Sequence, residues 1–155
     1  MIVDANILLY AVDESARDHP SARSFLEEHL NGEVRIGLPW QSLSAFLRIA
    51  THPRIMGTPL SAPTAAVFVD DWLGAPAAWM PDVTPASWSI LRGLMEKHDV
   101  TGNLVPDAQL AALAIQYGVP VVSADSDFAR FTDVTWLNPC ACLLYTSDAA
   151  DDSLR

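Results

Sequence analysis

The chain has 155 residues, half of them hydrophobic and 18% charged, which is the composition of one globular domain with a substantial core. No apolar run approaches the roughly 20 residues that a membrane span needs, and no basic leader opens the chain, so we expect a soluble, cytoplasmic protein without a membrane anchor. The formal charge of −10, from 19 acidic and 9 basic residues, excludes nonspecific attraction to nucleic acid, so a phosphate-bearing substrate needs a local basic patch or a bound cation.

The N-terminus combines a short buried strand with an amphipathic helix. Ile2 and Val3 favour a strand, and apolar residues from Ile7 onward recur at helical spacing. Asp4 therefore stands at the carboxyl end of a strand, where open α/β sheets bind their ligands. Asp4 or Asn6 could equally serve as the N-cap of the following helix, so this segment alone leaves both roles open.

Helical and strand patterns alternate through the rest of the chain. Apolar positions three or four apart predict helices over residues 21–30, 39–50, 63–73, 85–98 and 107–117. Short apolar runs predict strands at residues 33–38, 78–80, 119–123 and 134–137. This alternation favours a three-layer α/β/α sandwich with a mainly parallel central sheet and right-handed crossovers.

The pattern changes near the C-terminus. Residues 141–155 have no coherent apolar face and become acidic and rich in Ala and Ser at their end. We therefore assign the domain to residues 1–139 and expect residues 140–155 to be a disordered or artefactual tail. Cys140 and Cys142 fit neither a disulfide framework nor a complete zinc site. This cysteine usage is typical of a reducing compartment.

Acidic residues stand at three comparable positions of the predicted sheet. Asp4 follows the first strand, Asp107 opens a helix, and Asp125 and Asp127 follow a buried strand. If the first and fourth strands are neighbours, the strand-end carboxylates project from one edge of the sheet, and the first turn of the Asp107 helix can reach it. Each residue could also be a simple cap of a helix or turn, but their common position favours one shared site.

Gathered carboxylates indicate a metal site. At about 4 Å and an effective dielectric constant near 20, each pair repels by roughly 4 kcal/mol, so the group needs protons or a cation. Oxygen ligands without His or Cys favour Mg²⁺ or Mn²⁺ over zinc. Such a site activates water and neutralises a transferring phosphoryl group, with one ion or with two about 3.5–4 Å apart. The sequence therefore favours metal-dependent phosphodiester hydrolysis.

Four motifs, in order, resemble a known family. They are IVDANILLYA, FLRIATHPR, GNLVPDAQLAALA and SADSDFARF. Together they resemble the PIN-domain ribonuclease toxins of the VapC type over about residues 1–139. The resemblance implies a PIN-like fold and an Mg²⁺-dependent endoribonuclease, with Mn²⁺ as a second candidate ion. It also implies a toxin of a type II toxin–antitoxin system that cuts RNA, is held inactive by a VapB-type antitoxin and is commonly a homodimer.

The resemblance assigns roles to the four acidic residues. Asp4 and Asp107 match the principal metal ligands of the family, and Asp125 and Asp127 match its C-terminal acidic pair. We therefore expect all four to be catalytic. The expected metal ligands are Asp4, Asp107 and Asp125. Asp125 and Asp127 are expected to ligate the ion directly or through water and to help position the nucleophile.

Three further polar residues are candidates for lining the site. Asn6 and Asn103 match polar residues of the family site, although Asn103 could serve only its own turn. Arg48 is a candidate contact for substrate phosphate, or a surface residue of its helix. The basic groups expected to offset the acidic surface locally are Arg35, Arg48, Arg54 and Arg130.

One position departs from the family pattern. Many relatives carry Glu directly before the Phe-Leu-Arg segment, where this chain has Ala45. The missing carboxylate removes about one negative charge, so a second metal ion would be held less well, which favours single-metal catalysis or weak activity. Ala45 also motivates an alternative function, a catalytically weakened PIN-like module that acts through RNA or antitoxin binding.

Overall fold

A parallel sheet forms the centre of the computed structural model, which describes residues 1–141. Its strands are Ile2–Val3 (β1), Ile36–Gly37 (β2), Ala78–Trp79 (β3), Val121–Val122 (β4) and Trp136–Leu137 (β5). They lie in the order β3-β2-β1-β4-β5, and all four ladders are parallel. The predicted parallel sheet is confirmed, and its parallel ladders place the carboxyl ends of all five strands at one edge.

Helices connect the strands and cover the sheet. Those of eight residues or more are Ala5–Val12 (α1), His19–Leu30 (α2), Trp40–Ala50 (α3), Ala62–Leu73 (α4), Pro85–His98 (α5) and Val105–Tyr117 (α6). Local signals set their ends: the Thr84 hydroxyl caps α5, and Gly118 at φ 65° ends α6. Within residues 1–141, no helix has both the length and the apolar character needed to span a membrane.

The strands divide the core between two hydrophobic clusters. Ile2 and Val121 pack with α5 and α6, whereas Val3 and Val122 pack with α1 to α4. Successive side chains of a strand point to opposite faces, so the two clusters lie on opposite faces of the sheet. This arrangement confirms the predicted three-layer α/β/α sandwich.

The packed part of the chain extends beyond the boundary that the sequence indicated after Pro139. Cys140 is only 6% exposed and belongs to the cluster on the α1 to α4 face. Burial is the main reason that the pKa of its free thiol is raised to about 11. Cys140 is therefore a core residue, and most of the predicted tail lies outside the described residues.

Gly37 has no room for a side chain between β1 and β3. A Cβ atom there would lie 2.9 Å from Ile2 Cδ1, 2.9 Å from Trp79 Cζ3 and 3.0 Å from the Met1 carbonyl oxygen. We expect Gly37→Ala to lower the free energy of unfolding by about 1–3 kcal/mol, because the central strands must shift to admit the methyl group. Urea denaturation followed by circular dichroism measures this change.

Gly93→Ala, on α5, is the matched control for Gly37→Ala. No atom lies within 4 Å of a Cβ built at Gly93. This substitution should raise the free energy of unfolding by up to about 1 kcal/mol, because Ala is the better helix former. Equal effects of the two substitutions would contradict the packing argument.

Candidate metal centre

Three elements bring carboxylates to the carboxyl edge of the sheet. Asp4 directly follows β1, and Asp125 and Asp127 follow its neighbour β4. Asp107 lies in the first turn of α6. Ala108, the next residue, is fully buried, and its small side chain lets the start of α6 pack close to the strands. The fold therefore gathers the four acidic residues that the sequence singled out.

Three of the carboxylates form a compact cluster. One oxygen atom each of Asp107, Asp125 and Asp127 lie within 4.8 Å of one another. That spacing suits shared coordination of one cation, whose bonds to oxygen are about 2.0–2.6 Å long. Asp107 and Asp125 are half-buried and Asp127 is exposed, so the cluster opens to solvent on one side. Asp4, a predicted ligand, lies beside this group rather than within it.

Asp4 is fixed by three hydrogen bonds. Its Oδ1 accepts the Ala5 backbone N–H at 2.7 Å, and its Oδ2 accepts from the Ser123 hydroxyl at 2.6 Å and the Asn6 amide at 3.3 Å. One oxygen therefore caps α1 while the other faces β4. Asp4 is thus a helix cap and, at the same time, a residue of the candidate site at the strand end. Burial raises the pKa of Asp4 above its usual value. The hydrogen bonds from Ser123 and from the Ala5 N–H oppose this shift, and the charge of Asp125 adds to it.

Ser123 is a site residue that the sequence reasoning missed. Its side chain is fully buried, and its hydroxyl donates to Asp4 and accepts from Asn6 Nδ2 at 3.1 Å and from the Asp125 N–H at 3.0 Å. Asn6 Oδ1 in turn accepts the Ala124 N–H at 3.1 Å. The sequence did contain a signal for Ser123: it ends the apolar run 119–123 and stands two positions before Asp125.

The segment after β4 is a 3₁₀ turn over Ser126–Arg130. Asp125 Oδ1 caps this turn by accepting the Asp127 N–H at 2.9 Å. The capping role that the sequence allowed for Asp125 is therefore present together with its membership of the acidic cluster. The cap also fixes the relative positions of the two carboxylates.

The remaining predicted residues lie on the surrounding elements. Asn103 is exposed in the 3₁₀ turn Gly102–Leu104, directly before α6, and Arg48 is exposed in the last turn of α3. Contact of either residue with substrate stays a prediction. The Ser42 hydroxyl donates to the Val3 carbonyl at 2.7 Å and anchors α3 at this edge of the sheet. Ala45, one turn further along α3, supplies no ligand atom.

In the described part of the chain, ion pairs do not balance the negative charge of the cluster. Within residues 1–141, no Lys or Arg side chain is ion-paired with these carboxylates. Burial, followed by the charges of Asp125, Asp4 and Asp127, raises the pKa of Asp107 to about 7. An oxygen-only donor set that carries uncompensated charge fits a hard divalent cation such as Mg²⁺ or Mn²⁺.

Asp107 makes the stability of the metal-free protein depend on pH. Its pKa is about 7 in the folded chain against an ordinary 3.8, so between these values the folded state holds a proton that the unfolded state has released. The free energy of unfolding should therefore fall as the pH rises from about 4 to about 7, and then level off. Urea titrations in EDTA should detect this component in the wild type and not in Asp107→Asn.

The exposed Asp70→Asn on α4 serves as the control for this pH dependence, and it should keep the wild-type profile. A stability difference between wild type and Asp107→Asn that stays constant across the pH range would contradict the raised pKa.

Comparison with known proteins identifies the family of the chain. Residues 1–134 match the PIN domain family. The chain is 42% identical over 142 residues to Ribonuclease VapC37 of Mycobacterium tuberculosis, an alignment that covers 92% of this chain and 99% of that protein. It is 39% identical over 139 residues to Ribonuclease VapC33 of the same species, covering 90% and 97% respectively.

Solved structures share the fold. VapBC2 from Rickettsia felis, bound to a promoter DNA fragment, superposes with a TM-score of 0.64 at 18% identity, covering 88% of this chain and 96% of that chain. VapBC-1 from nontypeable Haemophilus influenzae gives 0.61 at 13% identity, covering 89% and 96%. These likenesses concern the fold alone, whereas the domain match and the mycobacterial relatives confirm the resemblance carried by the four motifs. The chain belongs to the PIN domain family, within its VapC group.

Proposed function

We propose that this protein is a metal-dependent endoribonuclease that hydrolyses RNA phosphodiester bonds and acts as the toxin of a type II toxin–antitoxin system. The observation that carries the proposal is the cluster of Asp107, Asp125 and Asp127, with oxygen atoms within 4.8 Å of one another. Relatives named ribonucleases, at 39% and 42% identity over nearly their whole length, support the same reaction. We assign it to the domain that the sequence places at residues 1–139 and whose packed core extends to Cys140.

The cluster residues would hold the ion and Asp4 would complete the site. A Mg²⁺ or Mn²⁺ ion bound here supplies activation of water and neutralisation of charge on the phosphoryl group. Asp107, Asp125 and Asp127 offer the converging oxygen atoms. Asp4 contributes a carboxylate whose orientation Ser123 fixes, as a ligand or as the group that orients the attacking water.

Ala45 bears on how strongly the site acts. A methyl group stands where many relatives have a carboxylate, so the proposal is for one principal ion, and Asn6, Asn103 and Arg48 are proposed to line the site. The same residue favours the second candidate function, a weakened module that binds RNA or antitoxin without efficient cleavage. The two functions differ in whether a saturable metal site supports turnover.

The roles of the carboxylates are tested by cleavage of a labelled single-stranded RNA in Mg²⁺ or Mn²⁺. We expect EDTA to abolish cleavage, and Asp4→Asn to slow it by about 100-fold or more, because an oriented carboxylate is lost next to the reacting phosphate. The exposed Asp70→Asn on α4 should cleave at the wild-type rate.

Two outcomes would change these assignments. If Asp4→Asn cleaves as fast as the wild type, Asp4 has no catalytic role. If the wild type binds RNA without cutting it, and calorimetry finds no saturable Mg²⁺ site that Asp107→Asn removes, the weakened-module function replaces the nuclease.

We also propose a VapB-type antitoxin as the inhibitory partner and the cytoplasm as the location. Solved structures with the same fold are VapBC complexes from Rickettsia felis and Haemophilus influenzae, which supports a partner of this class. A cytoplasmic toxin has direct access to RNA.

Self-association is proposed through one apolar face. Three of the strongly exposed apolar side chains are assigned to this face: Trp40 at 67%, Val83 at 68% and Trp88 at 58%. Val83 and Trp88 line a cavity of about 270 Å³ together with Gln41, the neighbour of Trp40, and none of its lining residues among the described residues is charged. For a chain of net charge −10, two copies associate most readily through a face without carboxylates. We therefore assign this face to a homodimer.

The dimer is tested by light scattering after size exclusion. We expect the wild type to have the mass of two chains and Trp88→Glu that of one, because the dimer would bury an unpaired carboxylate from each copy. Val67→Glu is the control, since Val67 is 55% exposed on α4, outside this face, and its variant should stay dimeric. A dimeric Trp88→Glu would contradict the assignment of the face.

A further inference from the structure

Arg130 lies in the same short turn as Asp127 of the acidic cluster. It is the last residue of the 3₁₀ turn Ser126–Arg130, which Asp125 caps and which contains Asp127. In a 3₁₀ helix, residues three apart lie above one another. The Arg130 side chain therefore starts one turn above Asp127, on the same side of the turn.

Two buried rings hold this turn in place. Phe128 and Phe131 are each 1% exposed, and their ring centroids lie 6.1 Å apart. The Phe131 N–H also donates to the Phe128 carbonyl at 3.1 Å. Because these two side chains face the core, Asp127 and Arg130 lie together on the neighbouring, exposed side. The direction in which Arg130 leaves the turn is thus set by core packing.

Arg130 is also available to a ligand. Within residues 1–141 it has no carboxylate at ion-pair distance, whereas four other cations do: Arg17, Arg23, Arg92 and Lys97. Arg35 stacks over Trp79 at 4.8 Å and directly precedes β2, which places it at the opposite edge of the sheet. Arg48 lies six residues, or about 9 Å of helix, beyond the point where Ser42 anchors α3.

We propose that Arg130 binds an RNA phosphate adjacent to the one being cleaved. The inference rests on the proposed nuclease function. A metal ion in the cluster would neutralise the scissile phosphate, but the neighbouring phosphate would still face the exposed Asp127 and needs a cation of its own. The planar guanidinium group of Arg130 suits two parallel hydrogen bonds to phosphate oxygens. Since every nucleotide carries a phosphate, this contact would act for any RNA sequence.

The contact is tested by RNA binding rather than by turnover. A fluorescein-labelled single-stranded RNA is titrated by anisotropy with Asp4→Asn protein, which should cut slowly but keeps Asp107, Asp125 and Asp127. The titrations contain a constant concentration of Mg²⁺, so that the cluster can hold its cation, and cover a tenfold range of NaCl concentration. Introducing Arg130→Gln into this parent protein should weaken RNA binding about five-fold. It should also make the plot of log binding constant against log salt concentration less steep by about 0.7, because one phosphate contact is lost. Arg130→Lys should keep most of the slope, since it keeps the charge.

Arg92→Gln is the matched control, because it removes one exposed positive charge from α5, where Arg92 pairs with Glu96 and shares no turn with a cluster carboxylate. It should leave the salt slope unchanged. Equal salt slopes for Arg130→Gln and Arg92→Gln would overturn the proposed Arg130–phosphate contact. If Arg130→Gln fails to fold, a reduced salt slope for Arg130→Lys would overturn it as well.

Failure of the contact is distinguishable from failure of the nuclease proposal. If the wild type cleaves RNA with Mg²⁺ while Arg130→Gln binds like its parent, only the Arg130 contact is wrong. If the wild type neither cleaves RNA nor binds it in a salt-dependent way, both proposals are wrong.

Discussion

The parallel pairing of β1 with β4 holds the two halves of the candidate site together. Val3 pairs with Val122, so the next residue on each strand, Asp4 and Ser123, meet at the carboxyl edge. The Ser123 hydroxyl donates to Asp4 Oδ2 at 2.6 Å across 119 positions of sequence. The same hydroxyl accepts the Asp125 N–H, which connects the strand pair to the acidic cluster. A one-residue slip of this ladder would separate all of these groups.

The site concentrates like charges that the fold itself does not neutralise. Asp107 reaches a pKa of about 7 because it is partly buried beside Asp125, Asp4 and Asp127. A carboxyl group keeps such an unfavourable position only when the surrounding packing holds it there. Here buried residues such as Ala108 and Ala111 hold α6, which carries Asp107. The metal-free protein therefore carries an electrostatic strain at the place where a divalent cation fits.

The side chains around this site bear on how an acidic protein could bind an anionic substrate. Attraction over the whole surface is excluded by the net charge of −10. In the proposed function, binding depends on a cation in the cluster and on a few local side chains. Among these, Arg130 shares a turn with Asp127. The cavity beside Trp88, on the face proposed for the homodimer, has no charged residue in its lining among the described residues.

The sequence by itself determined the order of helices and strands, and it placed Asp4, Asp107 and Asp125 at strand ends and a helix start, because periodicity and capping are local properties. The four motifs were sufficient to indicate the family. Only the tertiary structure decided which oxygen atoms converge, and it grouped Asp127 with the cluster while Asp4 lies beside it. It also decided that Ser123 joins the two strands and that Cys140 belongs to the core. These outcomes depend on side-chain direction and on contacts distant in sequence, which no local pattern encodes.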